Sequence, residues 1–403
     1  MRILTFTSLF PNAQSPNHGI FILQRTLHLA RREGNSVQVV APVPYAPRFL
    51  SNTSRGGVAT IPQAETLAGL SVHHPRYPLL PGVSMPLHGA LMYAGCIRRV
   101  RQLHQERRFD CIDAHYVFPD GLAAVMTGRA LNIPVTVTAR GSDVHTFPSF
   151  ATIRPQIRWT LRHADAVAAV STSLARAMLE LEGTLASAEV IGNGVDAGRF
   201  YPGDRASARR AIGIADADKM IVSVAALRNV KGPDLLVRAA ALLKKDVPTL
   251  KVVFVGRGEE LTNLKRLAAQ LGCADVCRFA GAVDNCELRQ YFVAADVSCL
   301  PSRKEGWPNV VLESLACGIP VVATDTGAVS EILSDPKLGI VVEATPESIY
   351  GGLRGALAIS WDRDWIGRYA RSQTWDDVAD RVEDFLRRST RQQVPEAQPA
   401  VMA

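Results

Sequence analysis

Glu305 and Glu313 stand eight positions apart in Ser302-Arg-Lys-Glu-Gly-Trp-Pro-Asn-Val-Val-Leu-Glu313 and bracket what reads as a helix start. Pro308 suits the first helical position, where its missing N–H removes nothing. With Val310, Val311, Leu312, Leu315 and Ala316 behind it, the pattern predicts a buried helix over 308–317. The amides of Asn309, Val310 and Val311 would then face out of a helix N-terminus carrying partial positive charge, with Gly306 leaving room in the preceding loop. Amides for phosphate and carboxylates for hydroxyls suit one ligand that carries both groups. A sugar nucleotide is such a ligand.

Other residues fit the same chemistry. Arg228 and Lys231 are three apart in a loop that follows a predicted strand, placed to clamp a diphosphate and balance the charge that leaves with it. Gly256 and Gly258 end the next strand and would let the backbone approach a nucleotide, although no third glycine follows at the dinucleotide spacing. His115 closes the apolar run 111–115, and strand ends are where open α/β sheets hold ligands. Asp216 and Asp218 lie in a charged turn before a strand, away from such ends, whereas a divalent metal needs converging oxygen ligands. No metal and no resident cofactor are expected.

These residues need a frame, and the chain alternates short apolar runs with longer helical periods, the mark of parallel α/β architecture. Strands are predicted over 2–7, 36–41, 111–115, 135–139, 166–170 and 189–191, with a helix over 20–32; a stretch from 42 to about 86, rich in Pro, Gly and Ser, reads as a loop with short strands or a mobile segment. The pattern restarts with strands over 220–225, 251–255, 276–279, 297–300, 320–323 and 339–342. Between the halves, 193–203 has the glycines and Asn of a hinge. The expectation is two Rossmann-like doubly wound domains facing a cleft: 1–192, the linker 193–203, and 204–360. Helices over 361–388 follow, and the segment from 389 to 403 reads as a disordered tail.

The Glu305 to Glu313 segment, continued by Gly318-Ile-Pro-Val-Val322, resembles the E-x7-E segment of retaining family 4 glycosyltransferases of the GT-B fold. Asn193-Gly-Val-Asp196 is similar to that family's interdomain link, and the resemblance runs from Gly19 to about Phe385. It implies that the first domain serves the acceptor, that the second binds the nucleotide sugar, and that the last helix crosses back to the first domain. It gives Glu305 the sugar hydroxyls, Glu313 the ribose, Lys231 and Arg228 the diphosphate, 280–283 the base, and His115 a contact near the reacting carbon. Gly19, before the first helix, corresponds to a phosphate-facing glycine loop. Arg140 and Asp143 fall where the family often has His-Gly-Ser-Asp, with Arg140 in place of the His. The family's phosphate-binding Arg commonly lies five residues before the Lys, where this chain has Ala226, so Arg228 would supply it. The implied reaction is same-face transfer of a hexose-type sugar to a hydroxyl of a polysaccharide intermediate, a lipid-linked glycan or a small metabolite.

At 403 residues the chain exceeds the size at which single cores stop growing. Hydrophobic residues at 47% and charged residues at 21% suit a soluble globular protein, and no apolar run approaches the roughly 20 residues that span a bilayer. The N-terminus reads as a strand rather than a signal peptide, so the cytoplasm is expected. The seven cysteines, at 96, 111, 273, 277, 286, 299 and 317, complete no zinc set and read as reduced. Five Arg against one Glu over 96–108 make a basic helix that either lies on anionic lipid or is simply solvated; a peripheral place on the inner face of the membrane goes with the first reading. No nucleic-acid motif accompanies the net charge of +7. Rivals to a transferase are a sugar-nucleotide epimerase or hydrolase on the same fold, and a non-catalytic nucleotide-sugar sensor or membrane scaffold.

Overall fold

The computed structural model describes residues 1–45, 61–79, 84–284 and 287–391. Cys286, much of the 42–86 stretch and the tail from 392 lie outside them. Two compact units emerge: Met1–Asn193 with the C-terminal segment from Trp375, and Gly194–Thr374.

In the first unit the strands are β1 (Arg2–Phe6), β2 (Ser36–Val40), β3 (Val43–Tyr45), β4 (Ala64–Leu67), β5 (Leu70–His73), β6 (Arg76–Pro78), β7 (Cys111–His115), β8 (Val135–Ala139), β9 (Ala166–Ala169) and β10 (Glu189–Val190). Among the described residues the main sheet runs β10-β9-β8-β7-β1-β2-β5-β4, parallel except for β4 against β5, while β3 and β6 pair separately. β7 and β8 are buried throughout, as strands covered on both faces must be. The strand order reverses at β1, whose neighbours are β2 and β7, so the loops after β1 and β7 meet at one end of the sheet. The stretch read as a loop therefore holds a sheet strand and an antiparallel edge. Its turn puts Ala68 at φ 50 beside Gly69 at φ 87, and an alanine in that conformation gives no turn signal in the sequence.

The second unit contains β11 (Lys219–Val224), β12 (Leu250–Val255), β13 (Cys277–Gly281), β14 (Val297–Leu300), β15 (Val321–Thr324) and β16 (Gly339–Val342), in the parallel order β13-β12-β11-β14-β15-β16. Period-two alternation divides its cores: Val253 and Val255 of β12 pack in one cluster, Leu250, Val252 and Phe254 in the other. The order reverses between β11 and β14, which brings the loops after those strands side by side.

Three boundaries differ from expectation. The segment 194–203 is a packed part of the second unit rather than a hinge, because Val195 and Phe200 enter its core and the Val195 amide donates to Gln373 O (2.9 Å). Of the helices expected to return, Arg363–Arg371 stays in the second unit, where Gly367 lets it approach Ala316 O, and only the helix Trp375–Arg391 belongs to the first. That helix fills the first unit's core with Trp375, Val378, Val382, Phe385 and Leu386, and it continues through Ser389, which is buried.

Candidate functional site

The switch point of the second sheet assembles the charged residues. Gly232 follows Lys231 at φ 61, and a Cβ there would stand 2.0 Å from Pro301 O, so only glycine lets the loop after β11 press onto the loop after β14. Arg303 fastens the two: its amide donates to Val230 O (2.9 Å), its guanidinium to Asn229 O (2.6 Å) and to both oxygens of Asp234 (2.8 and 2.7 Å). That places Lys231 Nζ 2.8 and 2.9 Å from the Glu305 oxygens, and Ser302 Oγ donates to the same carboxylate at 2.6 Å. Glu305 is nearly covered, 7% exposed, while Lys231 keeps 30% and with it free hydrogen-bonding capacity for an anion. The sequence pointed to Lys231 and Glu305 but not to Arg303, Asp234 or Gly232, which hold them; Arg303 beside Glu305 and Asp234 beside Lys231-Gly232 were the signal.

Glu313 is half-buried on the helix Asn309–Ala316. Burial raises its carboxyl to about 7, against the pull of Arg199 and with the push of Asp196, both from the segment read as a hinge. Pro308 occupies the N-cap rather than the first helical position. Two of the three amides expected to be open are used in the turn, Asn309 to Trp307 O (3.1 Å) and Val311 to Pro308 O (3.0 Å); Val310 is the one not spent there. Trp307 adds a donor that sequence reasoning passed over, a buried Nε1 with no partner among the described residues.

Gly256 and Gly258 are required by the packing of their own loop. A Cβ at either would sit 2.0 or 2.1 Å from Ala225 O or Leu227 O, so they bring the loop after β12 against the loop after β11. Gly306 O accepts from the Ala328 amide (3.0 Å), which fixes the Glu305 loop from its other side. Arg228 lies at the rim, 64% exposed, its Nε 3.6 Å from Glu259, too long for a hydrogen bond and weak as an ion pair. Of the Asp216 and Asp218 pair, the Asp218 carboxylate accepts from the Ala215 amide (3.0 Å), and the backbone carbonyl of Asp216 accepts from Arg209 (2.7 Å).

In the first unit, the candidate residues gather at the ends of β7 and β8. His115 is fully buried. Arg140 Nη2 donates to its Nδ1 (2.9 Å), and Nε2 lies 3.3 Å from Asp113 Oδ2. A guanidinium only donates, so Nδ1 must accept and the ring is neutral; burial, resisted by Asp113, lowers its pKa to about 4. Burial and nearby Arg25 bring Arg140 down to about 9. Arg140 also donates to Asn193 (3.2 Å). Asp143 accepts from the amides of Val117 (2.8 Å), Gly141 (2.7 Å) and Arg140 (3.1 Å), a buried carboxylate that ties the ends of β7 and β8. Gly19, at φ 66, is required by its own chain: a Cβ would lie 2.1 Å from Leu9 O. His115 keeps a buried Nε2 with no hydrogen-bond partner among the described residues, while Asp143 and Gly19 are packed against their own loops.

Two family models match, "Glycosyltransferase Family 4" over residues 21–199 and "Glycosyl transferases group 1" over 204–373. The chain is 30% identical to the putative teichuronic acid biosynthesis glycosyltransferase TuaC of Bacillus subtilis, over 96% of this chain and 94% of that protein. It is also 30% identical to the D-inositol 3-phosphate glycosyltransferase of Acidothermus cellulolyticus, over 73% and 70%. Among solved structures it superposes on sucrose-phosphate synthase from Thermosynechococcus elongatus (TM-score 0.73, 18% identity, 96% and 98% covered) and on Anabaena HepE in complex with UDP (0.72, 17%, 96% and 100%). At that identity the superpositions speak to fold, and the fold is GT-B.

Proposed function

The chain belongs to the family 4 glycosyltransferases, and from that premise we propose that it transfers a hexose-type sugar from a nucleoside diphosphate donor to a hydroxyl acceptor with retention of anomeric configuration. The observation that carries this reading is the junction at the second sheet's switch point, where Lys231, Glu305 and Ser302 meet one helix away from Glu313. Lys231 takes the diphosphate, with Arg228 swinging in from the rim as second cation. On binding, Glu305 turns from Lys231 toward the sugar hydroxyls, and Glu313 accepts from the ribose. Val310 N–H and Trp307 Nε1 are unspent donors for phosphate or sugar oxygens. The bond from the anomeric carbon to the phosphate oxygen breaks, the acceptor oxygen bonds to the same face, and the acceptor proton passes to the departing phosphate. With Lys231, Arg228 and helix dipole opposing the developing charge, turnover is expected to persist in chelator.

UDP as the leaving group draws support from the HepE complex, and a glycan acceptor from TuaC's name. His115 and Arg140 belong to the reading as positioning residues. The test is incubation of the purified chain with UDP-, GDP- and ADP-sugars and a panel of glycan acceptors, with the product linkage read by NMR. Transfer with the donor's anomeric configuration supports the proposal; inversion, or a covalent sugar on a side chain, removes its mechanism, and donor cleavage indifferent to any acceptor would favour a hydrolase.

A further inference from the structure

The first unit carries an arginine-lined cavity that the donor reading does not use. It lies where the helix His88–Glu106 crosses β6 and the end of β5, with about 440 Å³ of space lined by Arg76, Arg98, Arg99, His74, Gln63 and Gln102. Gly95 makes the crossing: a Cβ there would stand 2.6 Å from both Arg76 O and Tyr77 Cβ, so the helix lies directly on the strand. One turn further, Arg98 and Arg99 arrive beside Arg76.

Each guanidinium is held with capacity to spare. Arg99 Nη1 donates to Gln102 Oε1 (2.8 Å) and its Nη2 reaches His73 Nδ1 (3.2 Å); burial and Arg99 itself depress the His73 pKa, so that ring is a neutral acceptor. Arg76 anchors through Nη2 to Ile61 O, while its Nη1 is buried with no partner among the described residues. Arg98 is exposed at the mouth. Glu65 of β4 is engaged by His74 Nε2 (2.8 Å). Three guanidiniums, one of them with an orphaned donor, match the fork geometry that recognises phosphate oxygens. The volume falls in the range of small-molecule sites.

We infer that this cavity binds a phosphate or diphosphate ester, separate from the donor diphosphate on the second unit. The phosphate belongs either to a soluble phosphorylated molecule or to an anionic lipid headgroup.

Calorimetric titration of the full chain with inorganic pyrophosphate tests the first source, and co-sedimentation with phosphatidylglycerol vesicles against phosphatidylcholine vesicles tests the second. Lys231→Ala weakens the donor clamp, so pyrophosphate affinity that this change leaves unaltered does not arise at the donor site. Pyrophosphate affinity retained in K231A, weakened about tenfold or more by Arg99→Ala and by Arg98→Ala, and unchanged by Arg101→Ala on the same helix would assign a soluble phosphate. The same pattern seen only with phosphatidylglycerol would assign a headgroup. Arg98 is exposed and its substitution leaves the fold intact, which an unchanged melting temperature verifies. The inference is overturned if neither probe binds in K231A, or if Arg101→Ala weakens binding as much as the cavity variants, since diffuse helix charge then accounts for it.

Discussion

Glu313 sets the chemistry most open to titration. Burial lifts its carboxyl from 4.5 to about 7, so the folded chain holds the proton longer than the unfolded chain does. The sign follows from linkage: this group's contribution to stability is full below the unfolded value and is lost as pH rises through the folded one. Urea unfolding should therefore show wild type losing stability against Glu313→Gln as pH climbs from about 5 to about 8, by on the order of a few kcal/mol. Ligand affinity should move the opposite way. Only the ionised carboxylate accepts from both ribose hydroxyls, so nucleoside diphosphate binding should strengthen across neutral pH in wild type and stay flat in E313Q. The spacing of Glu305 and Glu313 made both residues visible in the sequence. The raised pKa was not visible, because it comes first from burial set by tertiary packing, with Arg199 opposing and Asp196 adding from a distant segment that composition marked as a hinge. The setting of His115 was equally hidden: a strand-end His looks the same in sequence whether it is open or, as here, covered and bonded by Arg140.

Two loops and two strand ends hold the machinery in place. Gly232→Ala would drive a Cβ into Pro301 O from a left-handed backbone position, and we expect it to lower stability by about 2 kcal/mol or more and to separate Lys231 from Glu305. Thermal unfolding measures the first effect and loss of nucleotide-induced stabilisation the second. Arg303→Ala removes the fastening without touching ligand, so KM for the donor should rise more than kcat falls, with Arg303→Lys recovering part of the loss. In the first unit Asp143→Asn replaces an acceptor of three backbone amides with a group that presents its own N–H₂, and it should destabilise by about 2–4 kcal/mol in urea titration. The regular elements were legible because buried parallel strands are continuous apolar runs and the helices keep their period. The β4 to β5 hairpin was not, since its turn depends on Ala68 at positive φ. The role of the paired glycines was half legible: their positions were marked, but the loop-to-loop contact that requires them was not.

At the scale of the molecule, the division into two α/β units could be read from the restart of the strand pattern. Where the chain leaves each unit could not, because tertiary contacts decide it: Val195 and Phe200 are core residues in a glycine-rich stretch, and the terminal helix supplies five buried side chains to the unit that contains the N-terminus. Removing the chain from Trp375 should therefore abolish cooperative unfolding of the first unit while Gly194–Thr374 retains its own transition and its nucleotide binding, as scanning calorimetry with and without UDP would reveal. Donor capture by that second unit is the central claim, and calorimetric titration of wild type, Lys231→Ala and Glu313→Ala with UDP, GDP and ADP tests it most directly. One nucleotide should bind wild type saturably and each variant about tenfold or more weakly. Equal affinity in all three proteins, or no binding of any nucleoside diphosphate to wild type, would contradict the account.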